Sequence, residues 1–173
     1  MSMRNALTCV LMLYTGAALA AGPNLGKPVS AADLAAWDTS IMPDGAGLPV
    51  GSGTAAQGAP IYAKKCAACH GDEGKGGTSS AVRARGPLTS INGAEKTIGN
   101  FWPHATTLFD FIRRAMPWQE PRTLTNDEVY ALTAYLLVLN NVIGENDVMD
   151  AKTLPKVRMP NRDAFIIRFP EKI

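Results

Sequence analysis

Apolar side chains recur at Val129, Leu132, Tyr135, Leu136 and Leu139. Steps of three and four line one face of an α-helix. Thr125-Asn126-Asp127-Glu128 just ahead is a capping box, a hydroxyl for an orphan amide with a carboxylate three residues on. Asn140 and Asn141 are plausible terminators, with Gly144 beyond. The pattern predicts an amphipathic helix over roughly 125–140. A second apolar face, Leu108, Ile112 and Ala115 with Phe109 and Phe111 to either side, predicts a helix over about 105–115. Arg113 and Arg114 would face water there, and Pro117 would stop it. A third helix is predicted from about Ala55 to Lys65. In it Gly58 and Tyr62 lie four apart and share a face, a small residue beside a large one. That pattern suits close crossing with another helix, and the 125–140 helix is the partner. Between residues 71 and 104 little periodicity is found; Gly, Ser and Thr dominate. No stretch alternates convincingly as a strand, and no repeat is evident. The elements therefore predict an all-α protein of about three core helices.

The ends read differently. Arg4 and an apolar run from Ala6 to Ala18-Leu19-Ala20 have the form of an export signal with a small-x-small cleavage site. The run is short of the about 20 apolar residues a bilayer span requires. We expect residues 1–20 to be a signal peptide cleaved near Ala20, leaving an exported, periplasmic protein without a membrane span. Residues 21–52 form an N-terminal extension. Ser30-Ala31-Ala32-Asp33 starts a short helix to about Ala36 with Trp37 as its anchor, and Met42-Pro43-Asp44-Gly45 forms a turn. Residues 53–143 would be the folded domain and 144–173 a basic C-terminal tail.

Charge and cysteine content narrow the reading. The 173 residues carry 17 basic and 15 acidic side chains. Residues 151–173 hold six of the basic and two of the acidic ones, so the tail is positive and residues 21–150 are slightly negative. The tail is expected to lie on its own acidic body or on a partner. A nearly neutral exported chain is a poor nucleic-acid binder. Cys9 leaves with the signal, so Cys66 and Cys69 are the mature chain's cysteines. Two thiols in an oxidising compartment pair or are used.

Cys66-Ala67-Ala68-Cys69-His70 accounts for both thiols. Two cysteines three apart followed at once by histidine is the spacing of c-type haem attachment. Each thiol bonds one vinyl group, and the histidine becomes the proximal iron ligand. A thioredoxin-like pair would sit beside a strand–helix–strand pattern, and a zinc site needs two more Cys or His at short spacing. Neither accompanies this motif. One covalent haem c also explains a long, irregular loop in a small domain, because the haem supplies apolar core that the loop lacks. Met116, before Pro117 and between two helices, is the leading candidate for the second axial ligand. His104, Met42, Met149, Met159 and an open site are the alternatives. A His/Met pair raises the potential and closes the iron, which favours electron transfer over substrate chemistry. The Pro87 carbonyl is a candidate to hold the free nitrogen of His70. Arg83, Arg85 and Trp102 are candidates to reach the propionates, against a solvated charge for each arginine and plain packing for the tryptophan.

Over roughly residues 53–143 this order of helix, haem motif, long loop, Met116-Pro117 and final helix resembles class I cytochromes c. A narrower resemblance rests on Trp37-Asp38, on 43–49 (Pro-Asp-Gly-Ala-Gly-Leu-Pro), on 97–103 (Thr-Ile-Gly-Asn-Phe-Trp-Pro), on Arg114-Ala115-Met116-Pro117 and on Met159-Pro160-Asn161-Arg162-Asp163. These look like the cytochrome c subunit of bacterial sulfane or sulfite dehydrogenases. The resemblance implies a molybdenum-containing catalytic subunit as partner and a downstream cytochrome or oxidase as acceptor. It implies no catalytic centre on this chain. The longer members carry a second cytochrome region, whereas this chain carries one haem motif. A free periplasmic shuttle to a terminal oxidase, or a haem enzyme with an open iron site, are the other readings.

Overall fold

The computed structural model describes residues 25–87 and 95–166. The expected signal segment and Cys9 lie outside them. The chain divides into two units, residues 1–39 and residues 40–173. In the first, helix α1 (Ala31–Trp37) begins with the expected capping box. The Ser30 hydroxyl accepts from the Asp33 amide at 3.1 Å, and the Asp33 carboxylate accepts from the Ser30 amide at 3.3 Å. The side-chain and backbone bonds from Ser30 hold the Asp33 carboxyl below its usual range. Leu34 and Trp37 are exposed.

The second unit runs β1 (Ser52–Thr54), α2 (Ala55–Lys65), the one-turn α3 (Ala67–His70), α4 (Ala105–Ala115), α5 (Asn126–Leu139) and β2 (Val148–Asp150). Short 3-10 turns follow at Leu154–Lys156 and Arg162–Ala164. The three long helices fall where the apolar spacing put them. Capping boxes start two of them, Thr54 with Gln57 for α2 and Thr125 with Glu128 for α5. Pro117 lies just beyond α4, past its C-cap Met116.

The α2–α5 crossing is set by glycine. A Cβ on Gly58 would stand 2.0 Å from the Ala131 carbonyl oxygen, so the two backbones meet where a methyl has no room. One turn on, the buried Tyr62 ring lies 5.2 Å from Tyr135. Helix α5 is covered on more than the expected stripe. Tyr130, Ala131, Thr133, Ala134 and Leu137 are buried along with Val129, Leu132 and Leu136, because α2, α4, β1 and β2 all pack on it. A helix apolar all round is a central one.

The structure corrects the expectation on strands and on the tail. β1 pairs antiparallel with β2, Ser52 with Asp150 and Thr54 with Val148. Three-residue strands are too short to show a period of two, and one of them contains Gly53. Met149, Leu154 and Met159 are buried in the core cluster. Their spacing of five matches neither helix nor strand, so the pattern conceals them. Residues 40–52 and 144–159 are thus knitted into one unit with 53–143. Among the described residues, buried Met149, Leu154 and Met159 anchor the segment. Arg158 pairs with Asp163 inside the segment itself.

Candidate functional site

Helix α2 delivers the motif. The Cys66 amide still bonds the Tyr62 carbonyl at 2.9 Å, but Cys66 leaves helical geometry at φ −125° and ψ −37°. α3 then restarts with the Cys66 carbonyl accepting from Cys69 at 3.1 Å and His70 at 3.0 Å. Two thiols and an imidazole are thereby wound onto a single turn. Neither cysteine is in a disulfide. Burial pushes the half-buried Cys66 thiol up to about 11; Cys69 is exposed.

The His70 imidazole is fixed by backbone. Nδ1 lies 2.8 Å from the Ser80 carbonyl oxygen. A carbonyl only accepts, so Nδ1 carries the proton and Nε2 keeps its lone pair for a metal. The expectation placed the Pro87 carbonyl here; the structure places Ser80, and Pro87 is exposed. The loop returns sooner than expected. Gly76 N–H bonds the His70 carbonyl at 2.8 Å, and Ser79 N–H bonds the Cys69 carbonyl at 2.9 Å. Gly74 sits at φ +69°, a left-handed turn, and its carbonyl accepts from Val82 and Arg83, both at 2.9 Å. Tyr62 Oη donates to the Gly71 carbonyl at 2.9 Å from the α2 side. Burial pushes that phenol up to about 12, so it stays a donor throughout the physiological range.

Among the candidate sixth ligands, Met149 and Met159 are 4% and 1% exposed in the core, and Met42 is 53% exposed. Met116 is the C-cap of α4, its N–H on the Ile112 carbonyl at 3.1 Å. It is half-buried against the same core that Cys66, Val82 and Tyr135 flank. His104 precedes α4 without capping it. Its Nδ1 meets the Arg162 guanidinium. Burial, then the Arg162 charge, keeps its imidazole below the usual histidine range. It is engaged with the C-terminal segment.

The expected propionate partners have other neighbours. Arg83 lies 3.2 Å from Glu73, which also holds Lys75 at 2.5 Å, and the exposed Arg85 lies 3.8 Å from Glu95. Lys75, Arg83, Ala84 and Arg85 line an open recess of about 420 Å³. Trp102 is half-buried with its ring edge-on to Phe111, centroids 5.5 Å apart.

This donor set fits a haem. It has two unpaired thiols on one turn, an imidazole with one nitrogen tied and the other free, and a thioether on the partly covered apolar flank. Among the described residues no group of three His, Cys, Asp or Glu gathers as a metal cage. Sequence reasoning missed Ser80, whose role is a backbone carbonyl and leaves no side-chain signal. It also missed the Tyr62 hydroxyl bond and the role of Asn140 beyond ending α5.

Two comparisons found similar proteins. Residues 53–136 match the family described as cytochrome c oxidase, cbb3-type, subunit III. The chain is similar to a chain of the sulfane dehydrogenase SoxCD from Paracoccus pantotrophus, with 34% identity and a TM-score of 0.77, covering 83% of this chain and 71% of that one. No curated protein matches significantly. Among the described residues no helix is long and apolar enough to cross a membrane.

Proposed function

The chain belongs to the class I cytochromes c, and on that premise we propose that it is a periplasmic electron-transfer subunit carrying one haem c. The Cys66 and Cys69 thiols would hold a haem covalently, and His70 Nε2 and the Met116 thioether would hold its iron. When bound, the haem supplies a one-electron Fe(III)/Fe(II) couple. The protein's task is to present these four side chains in fixed positions. His70 is oriented by Ser80, and Met116 is held at the end of α4. Arg83 and Arg85, which line the open recess, and Trp102 are the groups we propose near the propionates.

The upstream donor we propose is a molybdenum-containing sulfite or sulfane dehydrogenase, with a downstream cytochrome or oxidase as acceptor. The likeness to SoxCD over 83% of the chain carries this reading. The signal-like residues 1–20 support export, and haem attachment at Cys66 and Cys69 is consistent with it. The test is to purify the protein from native periplasm at increasing salt and to follow haem reduction on adding sulfite or thiosulfate. Co-elution with a molybdenum protein and substrate-dependent reduction are expected. Elution alone at every salt concentration, with no reduction in the crude extract, would remove the subunit reading in favour of a free shuttle.

A further inference from the structure

The Asn140 side chain sits at the C-cap of α5 and joins three segments of chain. Its Oδ1 accepts from the Ala84 amide at 2.8 Å. Its Nδ2 donates to the Val82 carbonyl at 3.2 Å and to the Leu136 carbonyl at 2.8 Å. The amide has one workable orientation, since flipping it would set Nδ2 against an N–H and Oδ1 against two carbonyls. A Cβ on Gly99 would lie 2.2 Å from Oδ1, so the 97–100 loop closes over the same group.

Ending a helix requires none of this, because the Asn140 backbone amide already bonds back to Leu136. The surplus bonds grip Val82 and Ala84, and a single buried residue, Ala81, separates Val82 from Ser80. Ser80 is the residue whose carbonyl holds His70 Nδ1 at 2.8 Å. The other end of that strap is pinned by Ser79 N–H on the Cys69 carbonyl and by Val82 N–H on the Gly74 carbonyl, both at 2.9 Å. We infer that Asn140 is a positioning residue for His70: it anchors the 80–84 strap to the rigid C-terminus of α5 and so fixes the carbonyl that sets the imidazole's orientation and basicity. Its effect on the iron is indirect. A firmly accepted Nδ1–H makes Nε2 more electron-donating, which favours the ferric state and holds the reduction potential down. Releasing the strap weakens that bond and moves the potential upward.

This inference rests on His70 being the proximal ligand, as proposed above. The experiment uses the holoprotein with Asn140→Leu, which removes all three side-chain bonds at similar volume. Leu154→Ala serves as a control of lowered stability in the 3-10 turn beyond β2. Asn140→Leu should speed exchange of the His70 Nδ1 proton, read by NMR on the reduced protein, by about tenfold, the scale of one lost hydrogen bond. It should also shift the potential upward. Leu154→Ala should lower the melting temperature and move neither. If Asn140→Leu does not fold, Gly99→Ala displaces the same amide and should shift both readouts in the same direction. Native exchange and native potential in the strap variants, or equal shifts in Leu154→Ala, would overturn the inference. A native protein with no covalent haem would instead overturn the functional reading beneath it.

Discussion

At the scale of single residues, the site divides by whether the chemistry is carried by a side chain or by backbone. Cys66, Cys69 and His70 declare themselves in sequence because haem attachment demands those types in that order. Met116 stands out as the candidate sixth ligand because a proline and two helices frame it. Ser80 was not, since any residue presents a carbonyl, and the position of that carbonyl depends on the turn at Gly74. Cys69→Ser should leave a haem attached through Cys66 alone. Its reduced pyridine adduct should absorb at longer wavelength than the native one, because one vinyl group stays conjugated. An unchanged spectrum would mean that Cys69 makes no thioether. Tyr62→Phe removes the bond to the Gly71 carbonyl while keeping the ring against Tyr135. It should lower unfolding free energy by about 1 kcal/mol, measured by urea titration of the holoprotein. A loss of several kcal/mol would place a larger role on that hydroxyl.

At the scale of elements, the three long helices were readable from the spacing of their apolar and small residues, with capping boxes at the starts of α2 and α5 and a proline just past the end of α4. Gly58 is the sharpest case, a small residue placed where α2 meets the Ala131 carbonyl of α5. Gly58→Ala gains helix propensity of about 1 kcal/mol. It must nevertheless push apart a pair of packed backbones, and a net loss of about 2–4 kcal/mol is expected on urea unfolding. A neutral or stabilising result would contradict the crossing. The C-terminal segment was the least legible element. It is held by buried Met159, by Asn161 Nδ2 on the Phe101 carbonyl at 2.8 Å and by a bridge from Arg158 to His104. His104 gives it a pH dependence. Its folded-state pKa lies below the ordinary value near 6.5, so the unfolded or released segment binds the proton more readily. The stabilisation is present with His104 neutral and is lost as pH falls through 6.5 and below. Protonated His104 would face the Arg162 guanidinium, with Asp163 already paired to Arg158. Limited trypsin cleavage at Arg158 and Arg162 should accelerate between pH 7 and about pH 5 after correction for enzyme activity, and His104→Gln should flatten the profile. An identical pH profile in the variant would exclude His104 as the cause.

At the scale of the whole molecule, the sequence pattern located a helical domain but drew its edges too tightly. The β1–β2 pairing and the five-residue spacing of Met149, Leu154 and Met159 have no periodic signature, so the flanks looked like appendages. They enclose the domain from residue 40 onward. The likeness to SoxCD extends over 83% of the chain, well beyond the 53–136 stretch that matches the cytochrome family. That breadth carries the likeness into the flanks. On the function proposed above, this body holds one covalent haem between His70 and Met116 for electron transfer. The most direct test is the absorption spectrum of the oxidised, purified protein, native against Met116→Ala, with haem counted per chain. One haem is expected, with the weak far-red band of methionine-bound ferric haem in the native protein, and loss of that band and a lower potential in the variant. A native protein without the band, or a variant that retains it, would contradict the account.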